Sequence, residues 1–402
     1  MEDQYSLNKN HPAWIGVAIG FYAFIAIGIA EGGLGVLLPS ILATYDLNPA
    51  TVTLLFISQI SGYVVSATTS SLISSRFGLA RMLLFAAATL TTALVIYALS
   101  PYWVIMVAAG TLLGLGIGLI DAGINTYIVN DPRHAHRIGQ LHAFYGVGAL
   151  LGPTIATTLL AIGLHWRMIY LVIASIVGLL VIGVFGAVLM HYRPMMVQIA
   201  PADRPATANF RIALKTPIVF LTGLMLLIYV GTEVSIGNWA YTVQSVARGM
   251  PELAAGYGVS AYWMGLTFGR FILGYGLKRL GAVRAIDLSL ILLSTGLLMW
   301  WWFPQLWLTL PLLGFSLAAI FPSTIWLIPH RLPGAIVPAA VGFVTSVASL
   351  GAATVPSIVG WIANEAGLEI IPPLMLPLAG LLVVLHRWLL GFKVVEDSPA
   401  SP

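Results

Sequence analysis

Three carboxylates in this sequence stand where water is scarce. Of the 14 acidic residues, Glu31, Asp121 and Glu233 fall inside long apolar runs, while most others lie in loops or tails. An ionisable side chain near the middle of a bilayer costs about 2.5 to 3.5 kcal/mol on insertion scales and marks a proton, ion or substrate path by default. The plainer role is a protonated acid that ties two helices together by a hydrogen bond, and Glu233 is also placed where a gate could use it. No Lys or Arg is expected at their depth. The nearest base is Arg270, about two turns from the end of its run. A desolvated carboxyl without a counter-charge is suited to taking up and releasing a proton. The same imbalance points away from anionic solutes, toward neutral or cationic ones. His142 is expected at a depth comparable with Asp121, where a His–Asp contact and a backbone-capping role stand level.

Neutral hydrogen-bonding groups and rings accompany these acids. Gln59, Asn125, Asn238 and Gln244 supply amides, and Tyr63, Tyr145, Tyr229, Trp239, Tyr241, Trp263 and Trp326 supply aromatic faces. Amides combined with rings that stack on C–H faces are what a sugar needs. Gln59, Asn125, Tyr145, Tyr229, Asn238, Trp239 and Trp263 form the candidate substrate-binding set, with Glu31, Asp121, Glu233 and His142 as candidates for proton coupling. Trp14, Trp103, Trp300, Trp301, Trp302 and Trp307, near the ends of apolar runs, read as interface anchors. Gly110, Gly114 and Gly118 fall four apart and make one smooth helix face suited to close packing.

The elements that must hold these groups follow from composition. Hydrophobic residues make up 59% of the 402 and charged residues only 8%, with a mean hydropathy of +0.95. Soluble domains carry about a quarter charged residues, so lipid must surround most of this chain. A spanning helix needs about 20 mostly apolar residues. Such runs occur near 14–38, 50–74, 80–100, 103–128, 138–163 and 168–190, and again near 217–243, 254–277, 284–303, 307–328, 336–362 and 371–391. The result is an all-α membrane protein with twelve transmembrane helices and short loops. Residues 1–190 form one six-helix bundle, 191–215 a flexible linker rich in Pro and Arg, and 216–402 a second bundle. The first run is too long for a signal-peptide core. With no cysteine, thiol and disulfide chemistry are excluded. No phosphate-binding Gly loop or metal-ligand spacing is present, so the expectation is no cofactor beyond a coupling proton, or sodium in its place. The bases are scattered between spans, which argues against nucleic acid.

Positively charged residues set the orientation. With the N-terminus inside, all 18 basic residues but Arg167 and Arg248 fall on or near the cytoplasmic side. Both termini are therefore expected inside the cell membrane. The two sets of spans also repeat one another. Glu31-x-x-x-Gly35 returns as Glu233-x-x-x-Gly237, Arg76-x-Gly78-x-x-Arg81 as Arg279-x-Gly281-x-x-Arg284, and Gly148-Ala149-x-x-x-Pro153 as Gly351-Ala352-x-x-x-Pro356. Three matches in order, each shifted by 202 or 203 residues, identify a duplicated six-helix unit.

The loop Ser71-Leu-Ile-Ser-Ser75-Arg76-Phe-Gly78-Leu-Ala-Arg81 resembles the loop-2/3 signature of the major facilitator superfamily. Ser71 replaces the usual Gly and Ser75 the usual Asp, and the second copy has Lys278 at the acidic position. The resemblance thus implies cytoplasmic gating loops at Arg76, Gly78, Arg81, Arg279, Gly281 and Arg284 without the usual charge relay. Within the superfamily the chain is similar to fucose/glucose-type sugar:proton symporters. The residues that carry this are Gly114-x-Gly116-x-Gly118-x-x-Asp121-x-x-x-Asn125, Leu141-His142-x-x-Tyr145-Gly146-x-Gly148, Glu233-x-x-x-Gly237-x-Trp239 and Tyr262-Trp263-x-Gly265-Leu-Thr-x-Gly269-Arg270. The family layout places spans 1, 4, 7 and 10 around a central cavity, which puts all three acids on cavity helices. It implies a monomeric transporter that moves a sugar or polyol together with a proton. The competing expectation is a proton antiporter exporting lipophilic or cationic compounds, because Gly146-x-Gly148-x-x-x-Gly152-Pro153 partly resembles an exporter pattern. Against it, span 4 lacks the Arg that accompanies that pattern in exporters. A lipid scramblase or flippase would need a lateral opening, on which the sequence is silent, and a non-transporting receptor would leave the buried acids without a purpose.

Overall fold

The computed structural model describes residues 14–130, 137–196, 212, 215–303 and 305–392, and every regular element among them is helical. The first half contains α1 (Trp14–Gly32), α2 (Leu34–Tyr45), α3 (Pro49–Phe77), α4 (Leu79–Leu99), α5 (Trp103–Asn130), α6 (Ile138–Ala161) and α7 (Trp166–Leu189). The second contains α8 (Pro217–Thr242), α9 (Glu252–Leu280), α10 (Ala282–Trp302), α11 (Thr309–Leu317), α12 (Ile320–Leu327), α13 (Val337–Ala366) and α14 (Ile371–Leu390). Among the described residues, eleven helical segments are long and apolar enough to cross a membrane. The helix missing from that number is α9, which is long but carries Glu252, Arg270, Lys278 and Arg279.

Two expected spans are each made of two helices. Between α1 and α2 the interruption is slight, for Gly33 keeps helical angles and still donates to Ile29 O. Between α11 and α12 the cause is Pro322. A proline within a helix has no N–H for the carbonyl four residues back and crowds it, and that carbonyl belongs to Ala318, where α11 stops.

The chain divides into two compact units, Met1–Leu47 with Leu54–Asp203, and Asn48–Thr53 with Arg204–Pro402. Within each unit, helices approach to backbone contact at matching places. A Cβ added to Gly148 would lie 2.2 Å from Ile25 O, and one on Gly351 would lie 2.1 Å from Leu227 O. A Cβ on Gly114 would lie 1.8 Å from Gln59 O, and one on Gly314 would lie 1.8 Å from Tyr262 O. The duplication read from the sequence is therefore also a duplication of helix contacts. Glu31 and Glu233 follow Ile25 and Leu227 at the same spacing, so they occupy equivalent positions. The turns between the second and third spans of each unit match as well. Gly78 has φ +83° and Gly281 φ +76°, a conformation that side-chain-bearing residues rarely adopt.

Two sequence expectations need correction. Trp300 is no interface anchor, because it is fully buried and its carbonyl accepts from Arg248. Trp14, Trp302 and Trp307 are exposed as an anchor would be. The 191–215 stretch is also not flexible from its start. Tyr192 and Met195 are buried, and Tyr192 Oη accepts the Gly16 backbone N–H at 3.2 Å. That bond to α1 ties down the start of this stretch where polar composition points to a loose chain. Residues 197–211, with Arg204 and Arg211, lie outside the described residues, as does Arg133.

Arg167 and Arg248, the two bases set apart by the orientation argument, both cap a helix end. Arg167 donates to Ser100 O at 2.7 Å, just past α4, and lies over the Trp166 and Tyr45 rings at 4.8 and 5.5 Å. Arg248 donates to Trp300 O at 2.9 Å in the last turn of α10, to Gln244 Oε1 at 3.0 Å, and pairs with Glu369 at 3.1 Å. Each satisfies a terminal carbonyl that the helix leaves unpaired. Arg248→Ala should cost about 1–3 kcal/mol, because a buried carbonyl loses its donor, whereas Glu369→Gln removes only an exposed partner and should cost far less. Apparent melting temperatures of the two variants in detergent check the order.

Candidate functional site

In the first unit the polar groups assemble where glycine lets backbones meet. Gly28 faces α6 so closely that a Cβ there would lie 2.4 Å from Tyr145 O. One turn further along α1, Glu31 Oε2 accepts the Tyr145 hydroxyl at 2.9 Å. Gly110, Gly114 and Gly118 of α5 meet Ser58, Gln59 and Ser66 of α3, as their spacing indicates. That contact delivers Tyr63 to Asp121, whose Oδ2 accepts the phenol at 2.8 Å. Asn125 closes the other side, donating to Asp121 Oδ1 at 2.8 Å and to the Asp121 carbonyl at 2.9 Å. Glu31 and Asp121 lie close enough to feel each other's charge, and Asp121 also interacts electrostatically with His142. His142 itself is exposed and presents its ring edge-on to Phe24, centroids 5.5 Å apart. Glu31, Asp121, Asn125 and Tyr145 are each partly exposed. Gln59, also half-buried, donates to Tyr97 Oη at 3.2 Å.

The second unit is wired differently. Glu233 is 8% exposed, and its carboxylate accepts from the Tyr229 hydroxyl one turn earlier on α8. Arg270 Nη2 of α9 approaches the same carboxylate, at 3.4 Å from Oε2. This overturns the expectation that no base reaches the depth of the acids. Helix α9 runs on to Leu280, and an arginine side chain reaches far along a helix face to find the charge it needs. Tyr262, which the sequence did not single out as a ligand, donates to the Glu233 carbonyl at 2.8 Å and packs edge-on against Trp263. Equivalent positions thus carry different chemistry, with Glu31 held by neutral donors and Glu233 by a cation.

The remaining candidates divide. Trp239 is fully buried and donates its indole N–H to Pro356 O at 3.1 Å, so here it packs α8 against α13 instead of presenting a ring to solute. Tyr229 is equally buried, its hydroxyl engaged by Glu233. Trp263 lies against Gly237, and its indole N–H has no acceptor among the described residues. Asn238 is half-buried, with no amide contact among the described residues. Gln244 belongs to the Arg248 cap, and Trp326 is exposed, its ring tilted against His330 with centroids 4.1 Å apart. In the turns, Arg76, Arg81, Arg279 and Arg284 are exposed, and Ser75 bonds its own helix carbonyl at Leu72 instead of a neighbouring charge. The signal that would have exposed the Glu233–Arg270 pair was present: an acid and a base on two apolar runs of one six-helix set, each expensive alone.

Breaking a buried ion pair from one side strands a charge, whereas removing both members does not. Glu233→Gln and Arg270→Met should therefore each lower the apparent melting temperature, and the double variant should lose less than the sum. The coupling should be about 0.5–3 kcal/mol. Strict additivity in that double-mutant cycle would show that the two side chains do not act as a pair.

The comparisons with known proteins agree with this architecture. A family model described as Major Facilitator Superfamily matches residues 20–313. The chain is 26% identical over 410 residues to Bypass of stop codon protein 6 of Saccharomyces cerevisiae, covering 93% of this chain and 81% of that protein. It is 24% identical over 360 residues to the Glucose/mannose transporter GlcP of Bacillus subtilis, covering 86% of this chain and 87% of the relative. Among solved structures, the nucleoside transporter NupG matches 94% of this chain and 98% of its own with a TM-score of 0.74 at 14% identity, a likeness of fold. With well over half its length matched by the family model, the chain belongs to the Major Facilitator Superfamily and is an integral membrane transporter of small molecules, not an enzyme.

Proposed function

We propose that this transporter is a proton-coupled symporter of a neutral polyhydroxylated solute, a sugar or polyol, working by alternating access. The observation that carries the reading is the contrast between the units. Glu31 and Asp121 sense each other and are bound by Tyr145, Tyr63 and Asn125, all uncharged. Glu233 is matched by Arg270. Two neighbouring carboxyls whose hydrogen-bond donors are neutral, with the titratable His142 beside Asp121, are an arrangement in which a proton is taken up and released. The exchangeable proton therefore belongs to the first unit, and the Glu233–Arg270 pair holds the second together. Sodium could serve in the proton's place at the same oxygens.

The substrate class rests on the groups left over. Arg270 is paired with Glu233, and among the described residues no Lys or Arg pairs with Glu31 or Asp121, an arrangement that does not favour an anion. The Trp263 indole N–H, the Asn238 amide and the Gln59 side chain are neutral, and two of them lack partners among the described residues. They suit hydroxyl groups. The likeness to a glucose/mannose transporter supports the same class. The bias of basic residues supports both termini on the cytoplasmic side, and the six-helix units, 1–190 and 216–402 joined by 191–215, are proposed to act as one monomer.

Asp121→Asn should abolish uphill accumulation in energised vesicles while solute exchange at equal proton potential continues. Glu31→Gln should impair accumulation more than Glu233→Gln does. Cells making the protein should gain sugar or polyol uptake that a protonophore collapses, and no resistance to cationic dyes. Uphill transport unchanged in Asp121→Asn would refute the coupling role. Dye resistance lost in the Glu31 and Asp121 variants, without sugar uptake, would establish the export reading instead.

A further inference from the structure

The two carboxyls of the first unit are held unequally. Asp121 accepts a donor on each oxygen, the Tyr63 hydroxyl on Oδ2 at 2.8 Å and the Asn125 amide nitrogen on Oδ1 at 2.8 Å. Glu31 accepts only one, the Tyr145 hydroxyl on Oε2 at 2.9 Å, and its Oε1 has no partner among the described residues. Both acids are partly exposed, so burial does not separate them.

The Asn125 contact decides where a proton can sit. A side-chain amide presents N–H donors at one end and an acceptor at the other. The Asn125 nitrogen that meets Asp121 Oδ1 also lies 2.9 Å from the Asp121 backbone carbonyl, which can only accept. That fixes the amide with its N–H groups toward Asp121, so Oδ1 faces a donor and offers no acceptor to a proton of its own. At Oδ2 the phenol donates, and it would have to reverse before that oxygen could carry a proton. Donors aimed at a carboxyl favour its charged form. At Glu31 Oε1 no such contact has to be broken. The titratable groups that face Glu31 are Tyr145 on α6 and Asp121 on α5, and His142 on α6 faces Asp121. A standing negative charge at Asp121 disfavours a second one beside it.

We propose that Asn125 and Tyr63 lock Asp121 as a fixed carboxylate, and that the exchangeable proton is carried on Glu31 Oε1. The inference rests on the proton-coupled reading above and divides its labour. Glu31 is the carrier, taking its proton from water and returning it to water. Asp121 is the standing charge that draws the proton in, so neutralising it uncouples transport while the carrier stays in place. Asn125, expected among the substrate ligands, is a positioning residue, as is Tyr63.

The test uses the purified full-length chain in detergent and needs no solute. Infrared difference spectra between acidic and alkaline buffer report the C=O stretch of a carboxyl that takes up a proton in apolar surroundings. Subtracting each variant from the native chain isolates one side chain. Glu31→Gln should remove one such component, whereas Asp121→Asn should keep it. Asn125→Leu should add a second component as Asp121 is unlocked, and Tyr63→Phe should do the same from the other oxygen. Those gains are readable even if Glu31→Gln does not fold. A component lost in Asp121→Asn and kept in Glu31→Gln reverses the assignment and overturns the proposal. Loss in both variants means one shared proton, and loss in neither puts the proton elsewhere, on His142 for instance; each also overturns it. No second component in Asn125→Leu or Tyr63→Phe overturns the lock. Absent sugar uptake alongside the expected spectra would instead overturn the symport reading and leave the carrier assignment standing.

Discussion

A polar group inside a bilayer has no water to turn to, so its partner must come from a neighbouring helix. Such a partner is within reach only if the two backbones come close, and that requires side chains to be absent at the contact. Gly28, Gly148, Gly114 and Gly118 meet the requirement in the first unit, where a single methyl group at any of them would overlap a neighbouring carbonyl, backbone atom or hydroxyl. The Tyr145–Glu31 and Tyr63–Asp121 bonds depend on those contacts. Adding side-chain bulk at the glycines would therefore disturb the acids without touching them.

The same requirement, met twice, has two chemical outcomes. Duplication preserved the backbone contacts, with Gly351 on Leu227 repeating Gly148 on Ile25 and Gly314 on Tyr262 repeating Gly114 on Gln59. It did not preserve the electrostatics. Where the first unit has two acids within each other's field, the second has one acid closed by a cation. The position of Asp121 is taken in the second unit by apolar residues near the break at Ala318, and Phe321 there packs toward Tyr229. A symmetric scaffold thus carries an asymmetric charge distribution.

Helix ends raise the same problem in milder form. The last carbonyls of a helix have no partner of their own, and the two arginines at the α4 and α10 ends satisfy them from other elements. Pro322 creates a further loose end inside a span, at Ala318. Broken helices at membrane depth are tolerated where protein, not lipid, surrounds them, and Leu317, Ala318 and Ile320 are all buried.

The linear chain already carries the class of protein, the number and order of its spans and the duplication. It also singled out the three acids, because these depend on composition, on the length of apolar runs and on how costly a buried charge is. The glycine face of α5 was legible for the same reason, since spacing along one helix is a property of the chain alone. Which group meets which emerges only once the helices are packed. Position along the chain alone makes Arg270 too shallow to reach Glu233, leaves Trp239 and Trp300 free for solute or membrane, and puts Tyr192 in a loose linker, whereas the fold pairs the first with Glu233 and buries the other three. Each of those outcomes rests on the separation and rotation of two helices distant in sequence. A one-residue turn of a helix swings a side chain by about 100°, and no local pattern in the chain records that angle.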